Sequence, residues 1–235
     1  MNLRDAVLRD ARMLSPTVRS LTFEVADPLP FTAGQWVSLR MPLPGAAEPL
    51  ARSYSIASPP RDDGRFEVAV TRVEGGPGSA FLHAMQPGEV LQVTDPAGFF
   101  VLPDEVTAPL LFVATGTGLA PIRSMVRHAL ARGVSTPMRV LFGTRHDDGV
   151  LWADEWASLT AAHPTLQFDV TLSRPSPAWR GRAGYVQTHL AELVASMPDC
   201  HAFVCGLSPM IKAVRATLKD SLGFTRQRIH TERYD

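Results

Sequence analysis

The feature that most constrains the fold is a change of hydrophobic period near residue 105. Before it, apolar and polar residues alternate with a period of two, typical of half-buried strands, at 17–25, 35–39 and 65–73. Seven prolines between residues 28 and 60 exclude long helices from this part. We therefore predict a small antiparallel β-barrel with one short helix at 79–85.

After the change, apolar strands alternate with helices. The first strand, at 110–114, runs into a glycine-rich turn and then a helix at 121–132. Further strands are predicted at 138–142, 166–172 and 202–205, and further helices at 150–161, 188–196 and 209–222. Such an alternation predicts a parallel sheet covered by helices on both faces. The sequence thus indicates two domains, residues 1–103 and 104–235, of which the second is an α/β domain.

The composition excludes several classes of protein. The formal net charge is zero, so no global field attracts nucleic acid or an anionic membrane. Residues 1–14 carry charges throughout and lack the apolar segment of a secretory signal. No apolar run approaches the ~20 residues that cross a bilayer. We expect a soluble, cytoplasmic protein.

The two cysteines, Cys200 and Cys205, are too few for an all-cysteine iron–sulfur site, which needs four thiolates. The seven histidines show no metal-binding spacing, so no metal site is predicted. Any electron transfer would therefore run through a bound organic cofactor or a separate protein.

A glycine-rich turn separates the first strand of the second half from its helix. Its candidate binding residues are Thr115, Gly116, Thr117, Gly118 and Pro121. Glycines allow a pyrophosphate to approach the backbone, and a helix N-terminus offers free N–H groups to it. Proline stands where the G-x-G-x-x-G fingerprint has its third glycine, and proline suits a first helical turn. A tight turn without a ligand is the alternative.

Two segments of the first half carry groups that suit a flavin nucleotide. Arg52, Ser53, Tyr54 and Ser55 combine a cation, an aromatic ring and hydroxyls in one extended stretch. The loop at 75–79 runs into the short helix, where Ser79 could cap the helix and free amides could hold phosphate. Taken alone, this loop is better explained as a hairpin turn.

Polar residues follow two later strands of the parallel sheet. Ser173 and Arg174 end the third strand, where an adenosine ribose would lie, and Arg182 and Tyr185 follow. The arginines could hold a 2′-phosphate and the tyrosine could stack on adenine, although solvated arginines are the alternative. Cys205 ends the fourth strand and is either a small core residue or part of a ligand site.

Together these segments resemble the ferredoxin–NADP reductase superfamily over essentially the whole chain. The family's R-x-Y-S motif appears at 52–55, and its F-x-P-G-Q-[FWY] motif at 31–36, with Ala33 in place of proline. The flavin-phosphate loop at 75–79, the P-x-G-x-F turn at 95–100, the G-x-G-x-x-P turn at 116–121 and the C-G pair at Cys205-Gly206 follow in family order.

The resemblance implies a six-stranded flavin-binding barrel packed on a nicotinamide-nucleotide domain, with hydride passing from nicotinamide to flavin. It implies FAD in preference to FMN. Arg52 and Tyr54 would hold the flavin, with main-chain contacts from Ala69, Val70 and Thr71. Gly76, Gly78 and Ser79 would hold its pyrophosphate. Ser55, Cys205, Glu232 and Tyr234 are the catalytic candidates, and Cys205 with Gly206 would lie beside the nicotinamide. At the end of a chain, however, residues 230–235 would by default fray.

The resemblance leaves the nucleotide and the acceptor open. The pattern around Arg174 and Tyr185 resembles NADP-selective members, whereas 179–184 resembles NAD-using reductases, and we favour NADPH. The implied partner is an acceptor protein, such as ferredoxin or an oxygenase component. The alternatives are a flavin reductase and a non-catalytic flavin-binding module. A basic docking rim could lie at Arg123, Arg127 and Arg132, or at Arg226 and Arg228.

Overall fold

The first six strands of the protein form a closed antiparallel sheet. A computed structural model describes residues 2–234. The strands are β1 (Leu3–Ser15), β2 (Val18–Val25), β3 (Trp36–Met41), β4 (Leu50–Ser55), β5 (Arg65–Thr71) and β6 (Val90–Thr94). They lie in the order β4-β3-β6-β1-β2-β5, and a bridge from Ile56 to Val68 joins the two edges. The predicted barrel and its short helix, α1 (Pro77–Ala84), are confirmed.

β1 is a strand that the sequence pattern did not indicate, because charged residues interrupt its alternation. Ala6 and Leu8 are fully buried, while the following Arg9 and Asp10 are exposed. The pairing of β1 with β2 shifts register between Leu8 and Asp10 and again near Ser15. Such bulges bend a strand, and β1 pairs with both β2 and β6.

The second sheet is parallel and has helices on both faces, as predicted. Its strands are β7 (Leu110–Thr115), β8 (Met138–Thr144), β9 (Leu166–Leu172), β10 (Arg182–Ala183), β11 (His201–Leu207) and β12 (Ile229–Tyr234), in the order β10-β9-β8-β7-β11-β12. Helices α2 (Leu119–Ala131) and α3 (Ala153–Ala162) pack on one face. Helices α4 (Leu190–Ala195) and α5 (Ser208–Ala216) pack on the other.

Two helices differ from their predicted bounds for local reasons. α3 begins at Ala153 instead of residue 150, because Trp152 before it has a left-handed backbone (φ 51°) that a helix cannot include. α5 ends as an α-helix at Ala216, and residues Thr217–Ser221 continue it as a single wider π-turn.

The expectation that the last residues fray was wrong for the described part of the tail. β12 pairs in parallel with β11 over six residues, from Ala202 opposite Ile229 to Leu207 opposite Tyr234. A tail is held in place when its backbone joins a sheet. The ladder therefore fixes Glu232 and Tyr234 at the carboxyl edge of the parallel sheet.

Two structural features are absent between residues 2 and 234. No helix there has the length and apolar character of a membrane span. No three His, Cys, Asp or Glu side chains in this range approach one another as metal ligands would.

A buried ion pair joins the barrel to the parallel sheet. Arg123, on α2, is 3% exposed and donates to Glu67 on β5 at 2.7 Å and to the carbonyl of Ala57 at 2.9 Å. Glu155 binds the other side of the same guanidinium at 2.6 Å. The Trp152 ring lies 4.7 Å from it, and the indole N–H donates to Glu67. Arg123 therefore belongs to the domain interface and cannot form the docking rim that the sequence suggested.

The surroundings of Glu67 keep it ionised. Burial alone would raise the pKa of this carboxyl, but the Arg123 cation and hydrogen bonds from Ser20 and Trp152 bring it below its ordinary value. A charge this deeply buried is tolerated only because it is paired and hydrogen-bonded.

Replacing Arg123 by leucine should therefore destabilise the protein strongly. We expect the free energy of unfolding to fall by about 3–5 kcal/mol, because Glu67 would remain buried without a cation. Urea unfolding would measure it, with Arg127→Leu as the control, since Arg127 contacts Glu155 at 3.4 Å but is more exposed. The double variant Arg123→Leu/Glu67→Leu should recover part of the loss. A double variant no more stable than Arg123→Leu would contradict this account.

Candidate cofactor cleft

A cleft of about 700 Å³ lies between the barrel and the carboxyl edge of the parallel sheet. It brings together predicted site residues from both halves: Arg52, Ser53, Tyr54, Ser55, Ala69, Thr71, Gly76, Gly78, Ser79, Thr117, Glu232 and Tyr234. It is also lined by residues that were not predicted: Trp36, Leu50, Ala51, Val73, Pro77 and Arg233. Of these, Trp36 stands in the motif at 31–36, which was the available signal for it.

The segment at 52–55 forms the end of β4, an edge strand of the barrel. Arg52 and Ser53 are exposed, Tyr54 is half-buried and Ser55 is buried. Burial raises the pKa of Tyr54, so its ring remains neutral. The strand therefore offers a cation, an aromatic ring and a hydroxyl in order of increasing depth.

The loop at 75–79 lines the cleft and leads into α1, but Ser79 does not cap the helix as was predicted. The N-cap of α1 is Gly76, and no side chain caps the helix. The Ser79 hydroxyl instead accepts the N–H of Val73 at 3.0 Å and lies 3.0 Å from the Gly76 carbonyl, which holds the loop against the helix. Gly78 and Ser79 stand in the first turn, where backbone N–H groups have no helical partner.

Gly78 also keeps the floor of the loop open. A Cβ at this position would lie 3.1 Å from Met41 Cε and 3.2 Å from Leu50 Cδ2. A side chain at this position would therefore crowd Met41 and Leu50, and without one the backbone N–H groups of the first turn stay accessible to an anion. With Arg52 on the adjacent strand, the barrel side of the cleft suits the pyrophosphate and ring of FAD.

Three predicted catalytic residues form one hydrogen-bonded chain across the cleft. Tyr234 donates its hydroxyl to Ser55 Oγ at 2.6 Å, and Ser55 donates to Glu232 Oε1 at 2.7 Å. Ser55 belongs to β4 of the barrel, whereas Glu232 and Tyr234 belong to β12 of the parallel sheet. This row of hydrogen bonds therefore forms only when the two halves are packed together.

The protonation of this cluster follows from its burial. Burial raises the pKa of Glu232 above its ordinary value, and the hydrogen bond from Ser55 opposes that shift only in part. Burial also raises the pKa of Tyr234 and of the Cys205 thiol well above their ordinary ranges. Glu232 is therefore the member of the cluster that exchanges its proton most readily.

Cys205 lies behind the cleft instead of lining it. Its side chain is fully buried in the core and has a hydrogen bond to Tyr234. The glycine-rich turn packs directly on its backbone, since a Cβ on Gly118 would lie 2.3 Å from the Cys205 carbonyl oxygen. Gly206 has a positive φ of 154°, and a Cβ there would lie 2.5 Å from Thr115 Oγ1. Only glycine allows both contacts.

Several predicted residues do not line the cleft. Val70 is 1% exposed in the barrel core, and its carbonyl accepts a hydrogen bond from His83. Pro121 is buried in the first turn of α2, behind the exposed Gly116. In the turn at 115–121, it is Thr117 that reaches the cleft.

The residues proposed for the adenosine end gather at β9 and β10. The N–H of Ser173 and that of Arg174 bond to the carbonyls of Thr144 and Arg145. The Arg174 side chain is exposed, and Tyr185 is 67% exposed. Arg182, by contrast, pairs with Glu192 at 2.6 Å and Asp169 at 3.2 Å, so its guanidinium is already engaged.

The comparisons with known proteins agree with this geometry. Residues 5–102 match the family model described as "Oxidoreductase FAD-binding domain", and residues 112–216 match "Oxidoreductase NAD-binding domain". A protein of Sorangium cellulosum, "Ferredoxin--NADP reductase B", is 45% identical, and the match covers 98% of this chain and 97% of that protein.

Longer relatives share the same two domains. "Phenol 2-monooxygenase, reductase component DmpP" of Pseudomonas sp. is 31% identical over 94% of this chain and 62% of its own length. The crystal structure of the Amycolatopsis cytochrome P450 reductase GcoB is 30% identical, with a TM-score of 0.87 over 98% of this chain and 70% of that one. The chain thus spans about two-thirds of these oxygenase-type relatives. It belongs to the ferredoxin–NADP reductase superfamily and is an oxidoreductase that uses FAD and a nicotinamide dinucleotide.

Proposed function

We propose that the protein oxidises NADPH, in preference to NADH, and passes the electrons through FAD to a separate acceptor protein. The observation that carries this proposal is the Tyr234–Ser55–Glu232 chain, which lies where the flavin side and the nucleotide side of the cleft meet. The names of the relatives support it, since they are a ferredoxin–NADP reductase and an oxygenase reductase component.

The barrel residues hold the flavin in this proposal. Arg52 and the N–H groups of Gly78 and Ser79 bind its two phosphates, which favours FAD over FMN. Tyr54 of the barrel and Tyr234 of β12 would both contact the ring system, since both line the cleft. When bound, FAD supplies the redox chemistry, because it takes two electrons from a nicotinamide nucleotide and releases them to an acceptor.

The hydrogen-bonded row Tyr234–Ser55–Glu232 places exchangeable protons at the cleft. Ser55 Oγ accepts from Tyr234 and donates to Glu232, so its hydroxyl is held in one orientation beside the carboxyl that exchanges its proton most readily. Glu232 lies at the end of this row and is partly exposed, which allows it to exchange a proton with water. The same row fixes the orientation of the Tyr234 ring over the cleft.

The parallel sheet holds the nucleotide. The turn at 116–118 and the start of α2 offer N–H groups to a pyrophosphate, and the packed Cys205–Gly206 pair lies beside the nicotinamide. Arg174 binds the 2′-phosphate of NADPH, because its side chain is exposed and forms no ion pair with any residue from 2 to 234. Arg182 supports this loop through Asp169 and Glu192.

The central test is reduction of the purified protein. We expect it to retain FAD on a desalting column, to bleach on adding NADPH, and to reduce a ferredoxin or an oxygenase component. Ser55→Ala should slow the bleaching by about 10²-fold, in the range of a lost acid–base group. Ser158→Ala, on the surface of α3, is the matched control. Loss of flavin on the column with reduction of free flavin would favour a flavin reductase, and no bleaching would contradict the proposal.

The raised pKa of Glu232 predicts how stability depends on pH. The folded state keeps the proton at pH values where the unfolded chain, with an ordinary pKa of 4.5, has lost it. The free energy of unfolding should therefore fall as pH rises from about 4.5 towards the raised value. Glu232→Gln cannot titrate and should lack this part of the fall, whereas Glu105→Gln should keep it. Urea unfolding at several pH values would measure this dependence. If the free energy of unfolding of Glu232→Gln and that of wild type change in parallel with pH, Glu232 does not contribute to it.

Nucleotide preference tests the role of Arg174. Arg174→Ala should lower kcat/KM for NADPH by about 10-fold or more, the value of one charge-assisted hydrogen bond, and should leave NADH unchanged. Arg180→Ala is the control, since Arg180 is an exposed arginine nearby that bonds to main-chain carbonyls of its own loop. An unchanged preference in Arg174→Ala would show that the 2′-phosphate binds elsewhere.

A further inference from the structure

A second cavity, of about 620 Å³, lies between α5 and β12 on the outer side of the parallel sheet. We call it the α5–β12 groove. Its lining is Ser208, Ile211, Lys212, Arg215, Ala216, Lys219, Asp220, Arg226, Ile229, Thr231 and Arg233. None of these residues except Arg233 lines the cofactor cleft.

The groove concentrates positive charge in a chain whose net charge is zero. Five exposed cations line it, against one carboxylate, Asp220, and they are Lys212, Arg215, Lys219, Arg226 and Arg233. Lys212 and Lys219 are the only lysines of the sequence. Between residues 2 and 234, nine arginines outside the groove pair with carboxylates, as in the pairs Arg139–Asp169 and Arg182–Glu192. Within residues 2–234, no ion pair engages Lys212, Arg215, Lys219 or Arg226.

The floor of the groove is apolar. Ile211 of α5 is buried and Ile229 of β12 is half-buried, so both line the groove at a greater depth than its exposed cations. An apolar centre inside a charged rim is the usual anatomy of a surface that binds another protein. A site for a small polyanion alone would require no such floor.

The groove reaches the cofactor cleft through one strand. Arg233 lines both cavities, while its neighbours Glu232 and Tyr234 line the cleft. Alternate residues of a strand point to opposite faces, so Thr231 and Arg233 of β12 face the groove side. A protein seated in the groove would thus lie next to the strand that carries two of the catalytic residues.

We propose that the α5–β12 groove is the docking surface for the acidic face of the electron-acceptor protein. This inference rests on the proposed function, since it names where that acceptor binds and by which charges. The cations without an ion pair, Lys212, Arg215, Lys219 and Arg226, steer an acidic partner towards the surface and fix its orientation, and the apolar residues of the groove stabilise the complex. Each cation at the rim acts mainly on the association rate, which makes the interaction sensitive to salt.

Charge reversal in the flavin-loaded protein tests the proposal. Lys212→Glu/Lys219→Glu should raise the KM for an acidic [2Fe–2S] ferredoxin by roughly 10-fold and flatten its dependence on ionic strength. The same variant should reduce a basic cytochrome c faster than wild type does, a gain that misfolding cannot produce. The matched control is Arg12→Glu/Arg132→Glu, which makes the same change in net charge on the barrel and on α2, across the sheet from α5.

The outcomes separate this inference from the proposed function. Bleaching by NADPH should be unchanged in both variants, and failure of wild type to bleach would overturn the proposed function. If the groove variant and the control change ferredoxin and cytochrome c reduction equally, the effect is one of net charge and the docking surface is overturned. It is also overturned if wild type bleaches but reduces neither protein. Inhibition of wild type by millimolar pyrophosphate, with no effect of charge reversal on either protein, would identify a small-anion site instead.

Discussion

The whole arrangement depends on one buried guanidinium, that of Arg123. It binds Glu67 and the Ala57 carbonyl in the barrel and Glu155 in its own half. Burying a charge costs free energy that only close pairing offsets, so the two halves can pack in very few relative positions without leaving a charge unpaired. Both partners of the ion pair lie on elements that reach the cleft. Glu67 is on β5, and Ala69, two residues further along the same strand, lines the cleft. Arg123 is on α2, which begins directly after the turn that contains Thr117. The ion pair therefore sets the relation between the flavin side and the nucleotide side.

Neither half contains a complete site. The barrel supplies Arg52, Tyr54 and the glycine-rich loop at 75–79. Both side-chain partners of its Ser55, however, lie on β12 of the other half. The parallel sheet supplies Glu232, Tyr234 and the turn packed against Cys205, whereas the R-x-Y-S segment and the glycine-rich loop at 75–79 belong to the barrel side. The interface consequently has two polar contacts of different kinds: one is the buried ion pair at Arg123, and the other is the row of hydrogen bonds at Ser55, which borders the cleft.

The fold and the local motifs could be predicted from the sequence, because both depend on residues that are close together in the chain. The change of period separated barrel from parallel sheet, and the segments at 52–55 and 75–79 reached the cleft as expected. Other features depend on contacts far apart in the chain and could not be read from spacing. Arg123 resembled a surface helix arginine until Glu67, 56 residues away, was placed against it. β12 resembled a loose tail because its stability comes from β11, and Arg182 seemed free because Glu192 lies on a later helix.

The ladder that fixes β12 has a consequence for how the protein is made. Ser55 leaves the ribosome long before its partner Glu232, which is 177 residues further along the chain. All residues of the barrel side precede β12 in the chain, so the cleft cannot acquire its second wall until residue 234 has cleared the exit tunnel. A nascent chain therefore passes through a period in which the barrel side of the cleft has no wall opposite it. A ribosome stalled before β12 would produce a chain that lacks this wall of the cleft.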